Sequence, residues 1–394
     1  MADDIREDLD KLLMHGEQIW LLGAGASCDA NLPLVVGLTA RVRSECAAQE
    51  IPREGQPNLK IGVVWDGLLS SLHPDATIET ILDHLADHFS VAKRAANKAV
   101  TVGDGAAAIA VSASELKRVR DAALVAIREA LRWGYCHDPD PKKCRQGKPG
   151  ESIVDISSHL DLMDVLFDQM QAGRAARLKP VDFFTVNYDT LLEDALALRG
   201  LSYCDGFAGG AVGYWDPGET FKSTARATLT KLHGSIDWAY IPDNERIVRR
   251  RIGDKYPETA AEVLIYPQAS KYDFARREPF DTLFQRFRDS INRTTAQVLI
   301  VCGYSFGDDH VDVAIEQALS RQNGGGLTLI AFSKTRNDKL KRWAQQQFGE
   351  RVYVVAEDGI WRGREGPFEP PAPGATHNWW TFRGMTKLLR EVRA

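Results

Sequence analysis

Six short apolar runs, each giving way abruptly to glycine, proline or polar residues, constrain this chain more than any other feature. They are Gln18–Leu22 (QIWLL), Val181–Val186 (VDFFTV), Val263–Tyr266 (VLIY), Gln297–Cys302 (QVLIVC), Leu327–Phe332 (LTLIAF) and Val352–Ala356 (VYVVA). Short runs without polar alternation suit strands buried on both faces, which occur in parallel sheets covered by helices. Helical stretches separate several of them, DVAIEQALSRQ after Cys302 and NDKLKRWAQQQFG before Val352. The pattern predicts an α/β fold built on a doubly wound, Rossmann-like parallel sheet.

Between the first two runs the periodicity becomes helical. Ile78, Ile81, Leu82, Leu85 and Phe89 recur at helix spacing, as do Leu116, Val119, Ala123, Ile127 and Leu131. Ile153, Ile156, Leu160, Met163, Phe167 and Met170 form a third such set. Residues 66–175 are therefore expected to be a helical insertion domain, which splits the Rossmann-like domain into 1–65 and 176–394. Arg132–Ser152 interrupts the helices with three prolines and three glycines and reads as a loop.

Composition narrows the partners. A net charge of -5 supplies no basic field for nucleic acid or a membrane surface. No apolar run approaches the ~20 residues of a membrane span. The six cysteines are scattered and the N-terminal MADDIREDLDKLL is too acidic for a secretory leader, so a cytoplasmic location is expected.

The first run ends in Gly23-Ala24-Gly25-Ala26-Ser27. Glycines directly after a strand and before a helix let a backbone approach a pyrophosphate, with Ser27 as a further donor. The dinucleotide fingerprint is incomplete, because Cys28 stands at its third glycine. Three other stretches carry polar groups just beyond apolar runs or beside glycine: Asn187 and Asp189, then His233 with Gly234 and Ser235, then Gly303, Ser305, Asp308 and His310. Ligands of open α/β sheets bind at the carboxyl ends of the strands.

These motifs, in this order, resemble the sirtuin family, and more closely the bacterial sirtuin-like NAD hydrolases of anti-phage defence. Gly23-Ala24-Gly25-Ala26-Ser27 is similar to the family's nucleotide loop, Thr185-Val186-Asn187-Tyr188-Asp189 to its asparagine motif, and Leu232-His233-Gly234 to its catalytic histidine-glycine pair. Gly303-Tyr304-Ser305-Phe306 with Asp308 and His310 resembles its later ribose loop. The resemblance implies that Asn187 and His233 are catalytic, with Asn187 orienting water or the ribose hydroxyls and His233 acting as general base. It implies that Gly23, Ala24, Gly25, Ser27, Asp189, Gly303, Ser305 and Asp308 bind NAD. It further implies NAD as substrate, cleavage to nicotinamide and ADP-ribose that depletes NAD during phage attack, and a HerA-type hexameric DNA-translocase ATPase as partner; because an unrestrained NAD hydrolase would drain the cell, homo-oligomers are expected as its control. Two alternatives stay open: an NAD-dependent protein lysine deacylase, and a non-catalytic scaffold subunit that binds NAD or ADP-ribose.

Departures from the family matter too. The paired Cys-x-x-Cys motifs of a structural zinc module do not occur, and Leu264–Tyr272 (LIYPQASKY) replaces the segment that lays a substrate peptide along the cleft. Cys136, His137 and Cys144 are one ligand short of a zinc site, so no metal is expected. Simpler roles exist for several candidates, since Asp189, Ser305 and Asp308 can each serve the start of a following helix.

Overall fold

The computed structural model describes residues 2–16, 18–53, 55–105, 108–167, 180–210, 212–221, 224–241, 246–250, 262–265, 278–321 and 326–393. The chain forms two compact units, one of Met1–Ala30, Asp155–Leu232 and Asp281–Ala394, the other of Asn31–Val154 and His233–Phe280. Met170 and Tyr266–Tyr272 lie outside the described residues.

The first unit carries a nine-stranded sheet. In chain order its strands are β1 (Gln18–Leu22), β2 (Val181–Thr185), β3 (Tyr203–Cys204), β4 (Ala227–Lys231), β5 (Gln297–Cys302), β6 (Leu327–Phe332), β7 (Val352–Ala356), β8 (Gly359–Arg362) and β9 (Glu365–Phe368). They lie in the order β9-β8-β7-β6-β5-β1-β2-β4-β3. From β3 to β7 every pairing is parallel, and β8 and β9 close the far edge as an antiparallel meander. Starting from β1, the chain winds outward through β2 and β4 on one side and through β5, β6 and β7 on the other. This is the doubly wound, Rossmann-like order, with its reversal between β1 and β5.

Burial explains why unbroken apolar runs make these strands. All six residues of β5 and all five of β7 are buried. On one face, Trp20, Leu22, Phe183, Leu229, Ile300 and Val355 join a core with Leu9 of α1 (Ala2–Leu13), Met163 of α2 (Ser157–Phe167), Leu196 of α3 (Leu191–Leu198) and Leu389 of the C-terminal helix Phe382–Arg393. On the other, Phe184 meets Phe287 of α4 (Phe280–Ile291) edge-on at 5.1 Å between ring centroids. The next helix, α5 (Asp309–Ser320), buries Val311, Ile315 and Leu319 and packs on β6. Helices thus cover both faces, as buried parallel strands require.

The second unit contains helices Val35–Ala47, Ile61–Ser70, Ile78–Arg94 and Ala113–Trp133. The last begins at a reciprocal cap, in which the Ser112 hydroxyl accepts from the Glu115 N–H and the Glu115 carboxylate accepts from the Ser112 N–H. Among the described residues three small hairpins pair Glu50–Ile51 with Leu59–Lys60, Ala99–Val102 with Ile109–Ser112, and Tyr135–Cys136 with Arg145–Gln146, the last inside the stretch expected to be loop. Three antiparallel strands complete it, with Gly234–Ile241 between Arg246–Arg250 and Glu262–Ile265.

Two expectations change. The run beginning at Val263 is an antiparallel strand outside the main sheet, because a short apolar run shows that a strand is buried but leaves its direction open. The helix Ser157–Phe167, grouped by spacing with the insertion, packs in the core of the first unit. Helical periodicity identifies a buried face and says nothing of what covers it.

Candidate functional site

The parallel register brings the strand ends level. Leu22 pairs with both Cys302 and Thr185, and Thr185 pairs with Lys231. The loops that start at Gly23, Val186 and Gly303 therefore leave the sheet side by side in the first unit, at the reversal point where ligands of such sheets bind.

The two glycine loops lock together. Gly23 N–H donates to the Cys302 carbonyl at 3.0 Å, and Gly25 N–H donates to the Gly303 carbonyl at 2.8 Å. A Cβ on Gly23 would lie 2.6 Å from the Gly303 oxygen, and one on Gly25 would lie 2.7 Å from the Gly303 Cα. Gly303 itself has a φ of 68°, and a Cβ there would sit 2.1 Å from the Ala26 nitrogen. Close backbone crossing alone requires glycine at these three positions. The following segment, Ala24–Ala30, is a 3₁₀ helix rather than an α-helix.

Around this crossing lies a polar network. The Asn187 Nδ2 amide donates to the Gly23 carbonyl at 3.0 Å and to Ser27 Oγ at 2.9 Å. A carbonyl can only accept, so the side-chain orientation of Asn187 is fixed and both its N–H groups are used. Oδ1 is then the atom that can accept from a ligand. Ser27 Oγ donates to Asp189 Oδ2 at 2.8 Å, and Asp189 Oδ1 accepts from Leu191 N–H at 3.1 Å. Thr185 ties the strand ends together: its hydroxyl donates to the Leu22 carbonyl at 2.9 Å and accepts from Asn187 N–H at 3.0 Å.

Leu22, Ala26, Ser27, His159, Thr185, Asn187, Asp189, Leu192 and Glu193 line a cavity of about 10 Å³. That is room for about one water-sized group with polar partners. His159, on α2, is 2% exposed, lies 4.6 Å from the Phe382 ring and has a buried Nδ1 without a hydrogen-bond partner among the described residues. Burial holds its imidazole neutral, with a pKa lowered to about 4 against the opposing pull of Asp189 and Asp29.

Sequence reasoning missed His159, whose signal was a histidine in register with the apolar spacing of Ile156, Leu160 and Met163. It also passed over Lys231, a lysine closing a strand. Its side chain is 1% exposed and its Nζ donates to Glu193 Oε1 at 3.0 Å, to the Tyr188 carbonyl at 3.5 Å and, more closely, to the Asp189 carbonyl.

Other candidates stand as follows. Gly23, Gly25, Ser27, Asn187, Asp189 and Gly303 form one connected set, with Ala24 inside its first loop. His233 is buried, follows Leu232 directly, and is the first residue of the second unit. Ser305 is exposed, and its carbonyl accepts from Asn337 Nδ2 at 3.2 Å. Asp308 caps α5, its Oδ1 accepting from the His310 and Val311 N–H groups at 2.8 and 3.3 Å. Tyr304 braces the same loop, its hydroxyl donating to Asp312 Oδ1 at 2.8 Å. No helix among the described residues is long and apolar enough to cross a membrane.

Residues 181–352 match the family model described as SIR2-like domain, a stretch that holds the asparagine motif, His233 and the Gly303 loop. No curated protein matches the chain. Among solved structures, the chain is similar to a Sir2 homolog–NAD complex at 14% identity, covering 98% of this chain and 93% of that one, with a TM-score of 0.40. It is similar also to a Sir2 homologue mutant in complex with ADP-ribose, at 13% identity, 98% and 96% coverage and a TM-score of 0.38.

Proposed function

We propose that this protein is a sirtuin-like NAD glycohydrolase that splits the nicotinamide–ribose bond with water as acceptor. The observation that carries the reading is the immobilised Asn187 amide, whose two donors are held by Gly23 and Ser27 and whose Oδ1 remains to accept from a ribose hydroxyl or a water. In the reaction the bond between ribose C1′ and the nicotinamide nitrogen breaks, and its electron pair neutralises the pyridinium. Water oxygen bonds to C1′ and loses a proton, giving nicotinamide, ADP-ribose and H⁺. Nicotinamide is already a good leaving group, so orientation and charge complementarity supply most of the acceleration.

Within this reading Ser27 and Asp189 hold Asn187 in place, and the Gly23 and Gly303 loops seat the dinucleotide across the sheet reversal. His233 takes the proton from water or a ribose hydroxyl, a task suited to histidine near neutral pH. Support comes from the SIR2-like match over residues 181–352 and from the ordered motifs. NAD depletion in anti-phage defence and a HerA-type ATPase partner belong to the same proposal and rest on resemblance; a cytoplasmic location rests on the scattered cysteines, and homo-oligomers on the need to restrain the activity.

The test is purified protein with NAD, nicotinamide and ADP-ribose being followed with and without an acylated peptide. Peptide-independent release of both products supports the hydrolase. Release that requires the peptide would make the protein a deacylase, and binding without release would make it a scaffold.

A further inference from the structure

We infer that Lys231 is a positioning residue for the Asn187 loop, acting through the backbone carbonyls of Tyr188 and Asp189; the inference deepens the NAD-cleavage reading and rests on it. Lys231 closes β4 in register with Thr185, so its side chain starts one strand away from the turn that carries Asn187. An ammonium has three N–H donors. Among their partners are the Tyr188 carbonyl, the Asp189 carbonyl and Glu193 Oε1.

Placing lysine in the interior is costly unless it is paired and fully hydrogen-bonded. If neutralising Glu193 were its only task, two apolar residues of similar shape would serve as well or better. The extra contacts to successive carbonyls indicate a different task. Those carbonyls flank the peptide units that set where Asn187 and Asp189 leave the backbone, and both side chains bond to Ser27. Glu193 holds the ammonium from α3, and itself lines the small cavity beside Asn187. Lys231 is thus the clamp beneath the loop, bonded to its carbonyls and to Glu193.

The decisive variant is the double replacement Lys231→Met with Glu193→Gln, which keeps both shapes and removes both charges of the buried pair. Two readouts are taken on the full chain. Hydrogen exchange at the amides of 187–191 should quicken in the variant, while those of β1 and β5 keep their protection. With NAD, kcat should fall about 100-fold while KM changes less than about 3-fold, the signature of a misplaced group rather than lost binding. Lys231→Arg, which retains charge and donors, should recover part of kcat. Unchanged exchange, or faster exchange with full kcat, would overturn the inference. Should the wild type release no nicotinamide at all, the functional reading fails, and the exchange data alone still decide whether Lys231 orders the loop.

Discussion

At the scale of single residues, the chemistry depends on groups whose positions are over-determined. Replacing Asn187 with Ala removes two hydrogen bonds, which costs about 1–2 kcal/mol of stability, whereas NAD cleavage is expected to fall by about 100-fold or more. Nicotinamide release at saturating NAD, set beside a thermal melt, separates the two effects, and His233→Ala should show the same loss of turnover. The crossing glycines give the opposite pattern. Gly25→Ala forces a Cβ to 2.7 Å from the Gly303 Cα and should lower stability by about 1–3 kcal/mol. Gly16→Ala, with nothing within 4 Å of the new methyl group, should leave the melting temperature unchanged.

Among elements, strands were legible because burial on both faces leaves an unbroken apolar signature, and five of the six runs form the parallel core of the sheet. The places where those strands end were legible for the same reason, and their register sets the loops from Gly23, Val186 and Gly303 side by side. The rest depends on tertiary partners that a periodic pattern does not encode. That Asp308 caps α5 emerges only with the helix in place, and Val263 gave no sign of strand direction. His159 read as one more position on a helix, yet the packing of that helix against Phe382 buries it. This burial has a pH consequence. Its folded pKa of about 4 lies below the 6.5 of an unfolded histidine, so between those values the unfolded chain binds a proton that the folded chain refuses. Stability is fully present above about pH 6.5 and falls by up to about 3 kcal/mol as pH drops to 4. Melting temperatures at pH 7 and pH 5 should differ clearly in the wild type and less in His159→Leu, with a remainder from His88, whose pKa burial also lowers.

For the whole molecule, the central question is whether a fold with this strand order and this asparagine spends NAD on water. An unrestrained hydrolase would drain a pool that every cell needs, so low basal turnover and control through assembly are expected. Turnover per subunit should then rise with protein concentration or with an added HerA-type partner, in a dilution series that would show constant activity if monomers were fully active. The most direct measurement is the stoichiometry of the reaction itself: nicotinamide and ADP-ribose quantified from NAD, without any peptide, for wild type and Asn187→Ala side by side. An NAD hydrolase that acts through Asn187 should give equal amounts of the two products in the wild type and almost none in the variant. Equal release by both proteins, or none from the wild type at any concentration with or without partner, would contradict it.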